Sequence, residues 1–229
     1  MRTADRTPSS PAVLPEIIRD ASLIWLAGGI VGVSFGAIAV AGGLPAWVPV
    51  VMSLVVYAGS AQFSAVAVLL AGGGPLAATA TGLLLNTRTA AYSLAVADIL
   101  GSGWFSRLAG AHLVTDETVA FALAQQDPLR RRTAFWVSGL GLFAAWNTGV
   151  LIGALAGGAL GDTDAYGLDA AFPAVLVALT LPAVRKDAGV RRAALLGAAV
   201  AVGVTVTPSV PAGVPVLLAL VGLALYRRG

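Results

Sequence analysis

The 229-residue chain contains no cysteine. That excludes a disulfide framework, a thiolate nucleophile and any cysteine-ligated metal or iron–sulfur cluster. Histidine occurs once, at His112, and no ligand spacing accompanies it, so the sequence supports no metal site and no cofactor. A nucleotide-binding loop of the form G-x-x-x-x-G-K-[ST] is absent, which argues against a nucleotide-driven machine. Charge is scarce: Asp, Glu, Lys and Arg make up 11% of the residues, against roughly 25% in a soluble domain.

What remains is apolar. Hydrophobic residues account for 58% of the chain and the mean hydropathy is +0.87, so its solvent is a bilayer. The isoelectric point near 9.8 and net charge of +3 come from arginines in short tracts between apolar runs, as the positive-inside rule expects, and do not indicate nucleic acid. Spans of about 20 residues fit the hydrocarbon thickness. Candidate runs cover 21–41, 47–71, 75–97, 133–157, 169–183, 193–207 and 210–226. The first lacks a short apolar stretch followed by a small-residue cleavage site and is expected to be a retained span behind a polar cytoplasmic leader, 1–20. The expected fold is an all-α integral membrane protein, a polytopic helical bundle of seven or eight transmembrane segments with broken or short helices, forming one domain over 21–229.

Segment 110–126 decides between seven and eight. His112, Asp116 and Glu117 interrupt it, yet 119–124 is too apolar for an exposed loop. The tracts Arg130–Arg132, Arg185 to Arg192 and Arg227–Arg228 belong on the cytoplasmic side, and Asp162, Asp164 and Asp169 fit the outside. If 110–126 crosses as a short or broken helix, the N-terminus with Arg2, Arg6 and Arg19 is cytoplasmic too. This eight-crossing arrangement obeys the charge rule better than the alternative, which puts that end outside.

Polar residues inside the apolar runs are the candidate site. The stretch Tyr57 to Phe63, YAGSAQF, interrupts run 47–71. Gly59 and Ser60 permit unwinding, and freed amides at a half-helix N-terminus face an anionic group, with Gln62 adding a side-chain amide. The same residues also fit a small-residue packing seam, as do Gly32 and Gly36. Asn86 and Arg88 lie deep in run 75–97, where an arginine costs about 2.5–3.5 kcal/mol on insertion scales and faces protein or a wet cavity unless its stem snorkels to an interface. Two residues apart on a helix, they point to different faces. His112 and Asp116, four apart, share a face on a continuous helix and make a candidate proton-binding pair with Glu117 nearby. Equally, Thr115 caps a helix whose first turn carries Asp116 and Glu117. Trp146 and Asn147 sit mid-span, where core packing and ligand contact are both open readings.

YAGSAQFSAVAVLLAGGGPLAA, LLLNTRTAAYSLAVA and HLVTDETVAFALA, in that order, resemble the AzlC family, the large subunits of branched-chain amino acid permeases. The likeness runs from about Gly36 to about Lys186. The family's motif positions correspond to Ala58, Gly59, Ser60, Gln62, Phe63, Asn86, Arg88, Asp116 and Glu117, while Thr87 and Thr89 around the arginine depart from its pattern. The resemblance implies a multi-pass cytoplasmic-membrane transporter that works with a small hydrophobic AzlD-like subunit, chiefly in export of branched-chain amino acids. On that expectation transport is secondary and proton-coupled. Gly59, Ser60, Gln62, Asn86, Arg88 and Asn147 contact substrate, Phe63 and Tyr92 shape its side-chain pocket, and Asp116, Glu117 and His112 carry the proton. A non-transporting assembly subunit and an integral membrane enzyme are the other classes the residues allow.

Overall fold

A computed structural model describes residues 13–160 and 184–206, together with 177, 181, 210, 214–219 and 221–222. The described elements are helices: α1 (Val13–Ala41), α2 (Trp47–Val55), α3 (Gly59–Leu70), α4 (Pro75–Ala95), α5 (Trp104–His112), α6 (Asp116–Leu123), α7 (Pro128–Leu160), α8 (Ala188–Thr205) and α9 (Val214–Leu218). Among the described residues, three stretches are long and apolar enough to cross a membrane: Leu14–Ala41, Pro128–Ala159 and Ala188–Thr205. The first begins well before residue 21, so part of the expected leader is helical. Most of the expected span 169–183, and much of 210–226, lie outside the described residues.

The chain divides into two compact units. One comprises Met1–Gly29 and Thr89–Trp146, the other Ile30–Arg88 and Asn147–Gly229. In the first, the starts of α1 and α7 are tied by Arg130 and Glu16, 3.2 Å apart, and the end of α4 joins them where Arg131 donates to the Ala95 carbonyl at 2.8 Å. Trp25 donates from Nε1 to the Ser138 carbonyl at 3.1 Å, over Gly141, where any Cβ would overlap the indole. In the second, α1 and α7 touch backbone to backbone. A Cβ at Gly36 would strike the Val150 carbonyl and one at Gly153 the Val33 carbonyl, so these glycines let two helices approach as small residues do in membranes.

Neither interrupted segment is a single span. At about 1.5 Å per residue, α2 is about 14 Å long and α3 about 18 Å, each short of the roughly 30 Å of hydrocarbon. They fold back on one another: Met52 of α2 packs on the cluster of Ala65, Val68 and Ala78, and Leu70 at the end of α3 lies against Gly42 at the end of α1. This hairpin therefore starts and finishes at the C-terminal end of α1. In the first unit, α5 starts beside the first turn of α7, where Arg132 approaches Gly101. Its C-terminal residues reach Gly139 and Phe143 of α7, and α6 then returns to Pro128. Where crossings at 47–71 and 110–126 are expected, the described residues form hairpins of helices nine, twelve and eight residues long, each too short to span by itself.

The two hairpins share one plan. A shift of 57 residues carries Trp47 to Trp104, Val55 to His112 and Gly59 to Asp116, so both have a nine-residue first helix starting at tryptophan and a three-residue turn.

Candidate functional site

The chain reverses at Val56, Tyr57 and Ala58. The Val56 amide still bonds the Met52 carbonyl at 2.8 Å, and Tyr57 then adopts φ +40°. The left-handed region costs a bulky L-residue about 1–2 kcal/mol, and the ring is 5% exposed, so its packing holds the turn. Ala58 is extended (φ −142°, ψ 94°) and has no side-chain cap to offer. The first intrahelical bond of α3 is Gln62 N to Ala58 O at 2.8 Å, which leaves the amides of Gly59, Ser60 and Ala61 at the open end of the helix.

Gln62 folds over that end. Its Oε1 accepts from the Ala58 amide at 3.2 Å, the side chain is fully buried, and Nε2 has no hydrogen-bond partner among the described residues. A buried donor left unmade costs about 1–3 kcal/mol. Arg88 of α4 donates from Nη2 to Ser60 Oγ at 2.7 Å, so its guanidinium is held at the hairpin turn rather than stretched to a helix end. Arg88 itself is exposed. Between Asp20 and Asp98 the sequence contains one charged residue, and it is Arg88. The open helix end, its dipole and this arginine thus gather positive charge at the start of α3.

The other expected residues of this unit sit close by in the fold. Phe63 is buried edge-to-face on Phe35, ring centroids 5.1 Å apart. Asn147 accepts at Oδ1 from Ser53 Oγ, 2.5 Å away, and so ties α7 to α2 one turn before the reversal. Asn86 is half-buried on α4, and a Cβ built on Gly82 of that helix would lie 3.6 Å from the Ala61 carbonyl. Tyr92 falls in the first unit and is half-buried. Nothing in the sequence singles out Ser53, whose only signal is a hydroxyl in an apolar run, or Thr81, buried with Oγ1 unbonded among the described residues.

In the first unit the turn at 113–115 sets the acidic residues. Thr118 N donates to Thr115 Oγ1 at 3.2 Å and Thr115 N to Thr118 Oγ1 at 2.9 Å, a reciprocal capping box at the start of α6. Asp116, half-buried, and Glu117, exposed, occupy the first helical turn. The capping reading of Thr115 holds. The shared helix face of His112 and Asp116 does not: His112 ends α5 and Asp116 opens α6, so the spacing argument fails where the helix does. His112 instead stacks edge-to-face on Phe143 at 5.6 Å. Among the described residues no three His, Cys, Asp or Glu side chains converge as a metal would require.

Comparison with known proteins gives a consistent result. A family model described as AzlC protein matches residues 24–160. The chain is similar to an uncharacterized membrane protein of Helicobacter pylori strain 26695, 27% identical over 175 residues that cover 76% of each chain. Its counterpart in strain J99 matches with the same identity and coverage. No solved structure matches.

Proposed function

The chain belongs to the AzlC family of membrane proteins, whose association is with transport, and on that premise we propose that it is the large subunit of a secondary transporter for branched-chain or related apolar amino acids. The reading places it in the cytoplasmic membrane, assigns it export coupled to protons, and gives it a small hydrophobic AzlD-like partner.

The observation that carries the proposal is the open N-terminus of α3. Three backbone amides, the Nε2 of Gln62, which has no hydrogen-bond partner among the described residues, and the guanidinium of Arg88 on Ser60 gather donors at one helix end. An amino acid supplies the missing acceptor through its own carboxylate, as substrate anions do at the broken helices of other transporters. Phe63 and Phe35, stacked edge-to-face and buried, make the surroundings of that helix end apolar, as a branched side chain requires. Asp116, with Glu117 and His112 near the second turn, is the proposed proton carrier, since an ionisable group at membrane depth is costly unless it functions.

Flux in proteoliposomes tests this directly. The chain, reconstituted with and without a small partner subunit, is loaded with leucine, isoleucine, valine, methionine, lysine and glutamate in turn. Branched-chain efflux that rises with an imposed pH gradient supports the proposal. Absence of flux for every amino acid, with either composition, leaves the assembly-subunit reading in its place.

A further inference from the structure

The end of the first unit at which α1, α5 and α7 begin carries more positive charge than it neutralises. Arg130 is paired with Glu16 and Arg131 with Asp98, each at 3.2 Å, and Asp127 accepts from the Arg130 amide at 2.8 Å. Those carboxylates are committed. Arg107 and Arg132 are exposed and, among the described residues, have no carboxylate partner.

These two arginines are held together by the loop between α4 and α5. Gly101, at φ +100°, turns its carbonyl to accept from Arg107 Nε at 3.3 Å, and a Cβ built on it would lie 3.7 Å from Arg132 Nη2. Only glycine fits, because that Cβ would also press on Ser106. The loop is pinned by side chains: Ser106 Oγ on the Leu100 carbonyl at 2.5 Å and Trp136 Nε1 on the Ile99 carbonyl at 3.4 Å. Two guanidinium groups therefore flank one glycine on a fixed support.

Beside them α5 opens with an apolar stripe. Trp104, Phe105 and Leu108 are 76%, 70% and 61% exposed, and Trp104 and Phe105 meet edge-to-face at 6.0 Å. At helical spacing they form one face next to Arg107. Tryptophan and phenylalanine beside arginine, on a short helix at the arginine-bearing end of a membrane protein, have the chemistry of a headgroup-level contact.

We propose that Arg107 and Arg132 bind the phosphate of one anionic phospholipid in the cytoplasmic leaflet, with its acyl chains lying along Trp104, Phe105 and Leu108. The guanidinium forks match phosphate oxygens, and the loop supplies the preorganisation. The charge excess selects an anionic lipid over a zwitterionic one, and the apolar stripe selects a lipid over free phosphate.

Native mass spectrometry of the full chain in mixed nanodiscs tests the proposal. The wild type is expected to retain phosphatidylglycerol over phosphatidylcholine by about thirtyfold, the size two arginines give near an anionic surface. Arg107→Gln with Arg132→Gln should reduce that preference to about twofold, whereas Arg19→Gln, whose arginine already pairs with Asp20, should leave it intact. Trp104→Ala with Phe105→Ala should weaken retention of both lipids. Equal retention of the two lipids by the wild type overturns the proposal, as does an unchanged preference in the double arginine variant. Displacement by millimolar inorganic phosphate would make the site one for free phosphate and overturn the lipid assignment. The wild-type lipid comparison and phosphate competition decide the matter even if the arginine variant fails to fold.

Discussion

The turns of the two hairpins have the same chain plan and opposite chemistry. At the start of α6, Thr115 and Thr118 satisfy each other's amides and two carboxylates sit on the positive end of the helix. At the start of α3, the residue in the capping position is Ala58, and the first turn reads Gly59, Ser60, Ala61 with no acid. One helix end is filled by its own side chains; the other is left with donors and attracts Arg88 as well. A single backbone device thus yields an uncapped helix end in one unit and a self-capped, acidic helix end in the other, and the residues at the capping positions make the difference.

The largest expected effect comes from making the α3 turn resemble the α6 turn. Gly59→Asp places a carboxylate at the open helix end, which favours the helix by a few tenths of a kcal/mol or more. It should nevertheless abolish transport, to below about one hundredth of wild type, because a second carboxylate at the site costs several kcal/mol. Near-normal flux at normal expression would remove α3 from the site. Arg88→Leu should lower kcat/KM for efflux by roughly 10- to 100-fold, the worth of a hydrogen bond to a charged group. Arg88→Lys should recover part of it; wild-type kinetics in the leucine variant would assign Arg88 to packing.

Gln62→Leu sharpens the comparison by separating stability from function. Removing a buried amide whose Nε2 is unbonded should leave Tm unchanged or raise it, while substrate affinity falls about tenfold. A lower Tm with unchanged affinity would make Gln62 a structural cap for the Ala58 amide only. The smallest effect belongs to the self-capped end. Thr115→Val breaks the capping box at a cost of about 1 kcal/mol, a fall of about 2–4 °C in Tm, with flux retained. A loss of flux out of proportion to that shift would mean the α6 turn itself contacts the cargo.

Legibility from sequence was uneven for physical reasons. YAGSAQF stands out in an apolar run because Gly, Ser and Gln are costly there, but the break falls at 56–58, and Gly59 and Ser60, expected to unwind, instead open the helix α3. The Thr115 cap is legible since capping is a local interaction, within three residues. Hydropathy gives no sign that run 47–71 doubles back, because a hairpin and a span of the same residues have the same composition. The pairing of His112 with Asp116 fails for a related reason: the rule of four presumes an unbroken helix, and the chain turns between them.

Composition by itself settled the solvent, and local chemistry settled where the chain caps and where it breaks, since those depend on residues within a turn or two of each other. Only the tertiary structure decided which way the chain goes after each break and which polar groups then meet. Arg88 and Ser60 are 28 residues apart in sequence, and Ser53 and Asn147 are 94 apart. Such contacts follow from the direction in which each hairpin returns and from the close packing its glycines allow, and no local pattern encodes either.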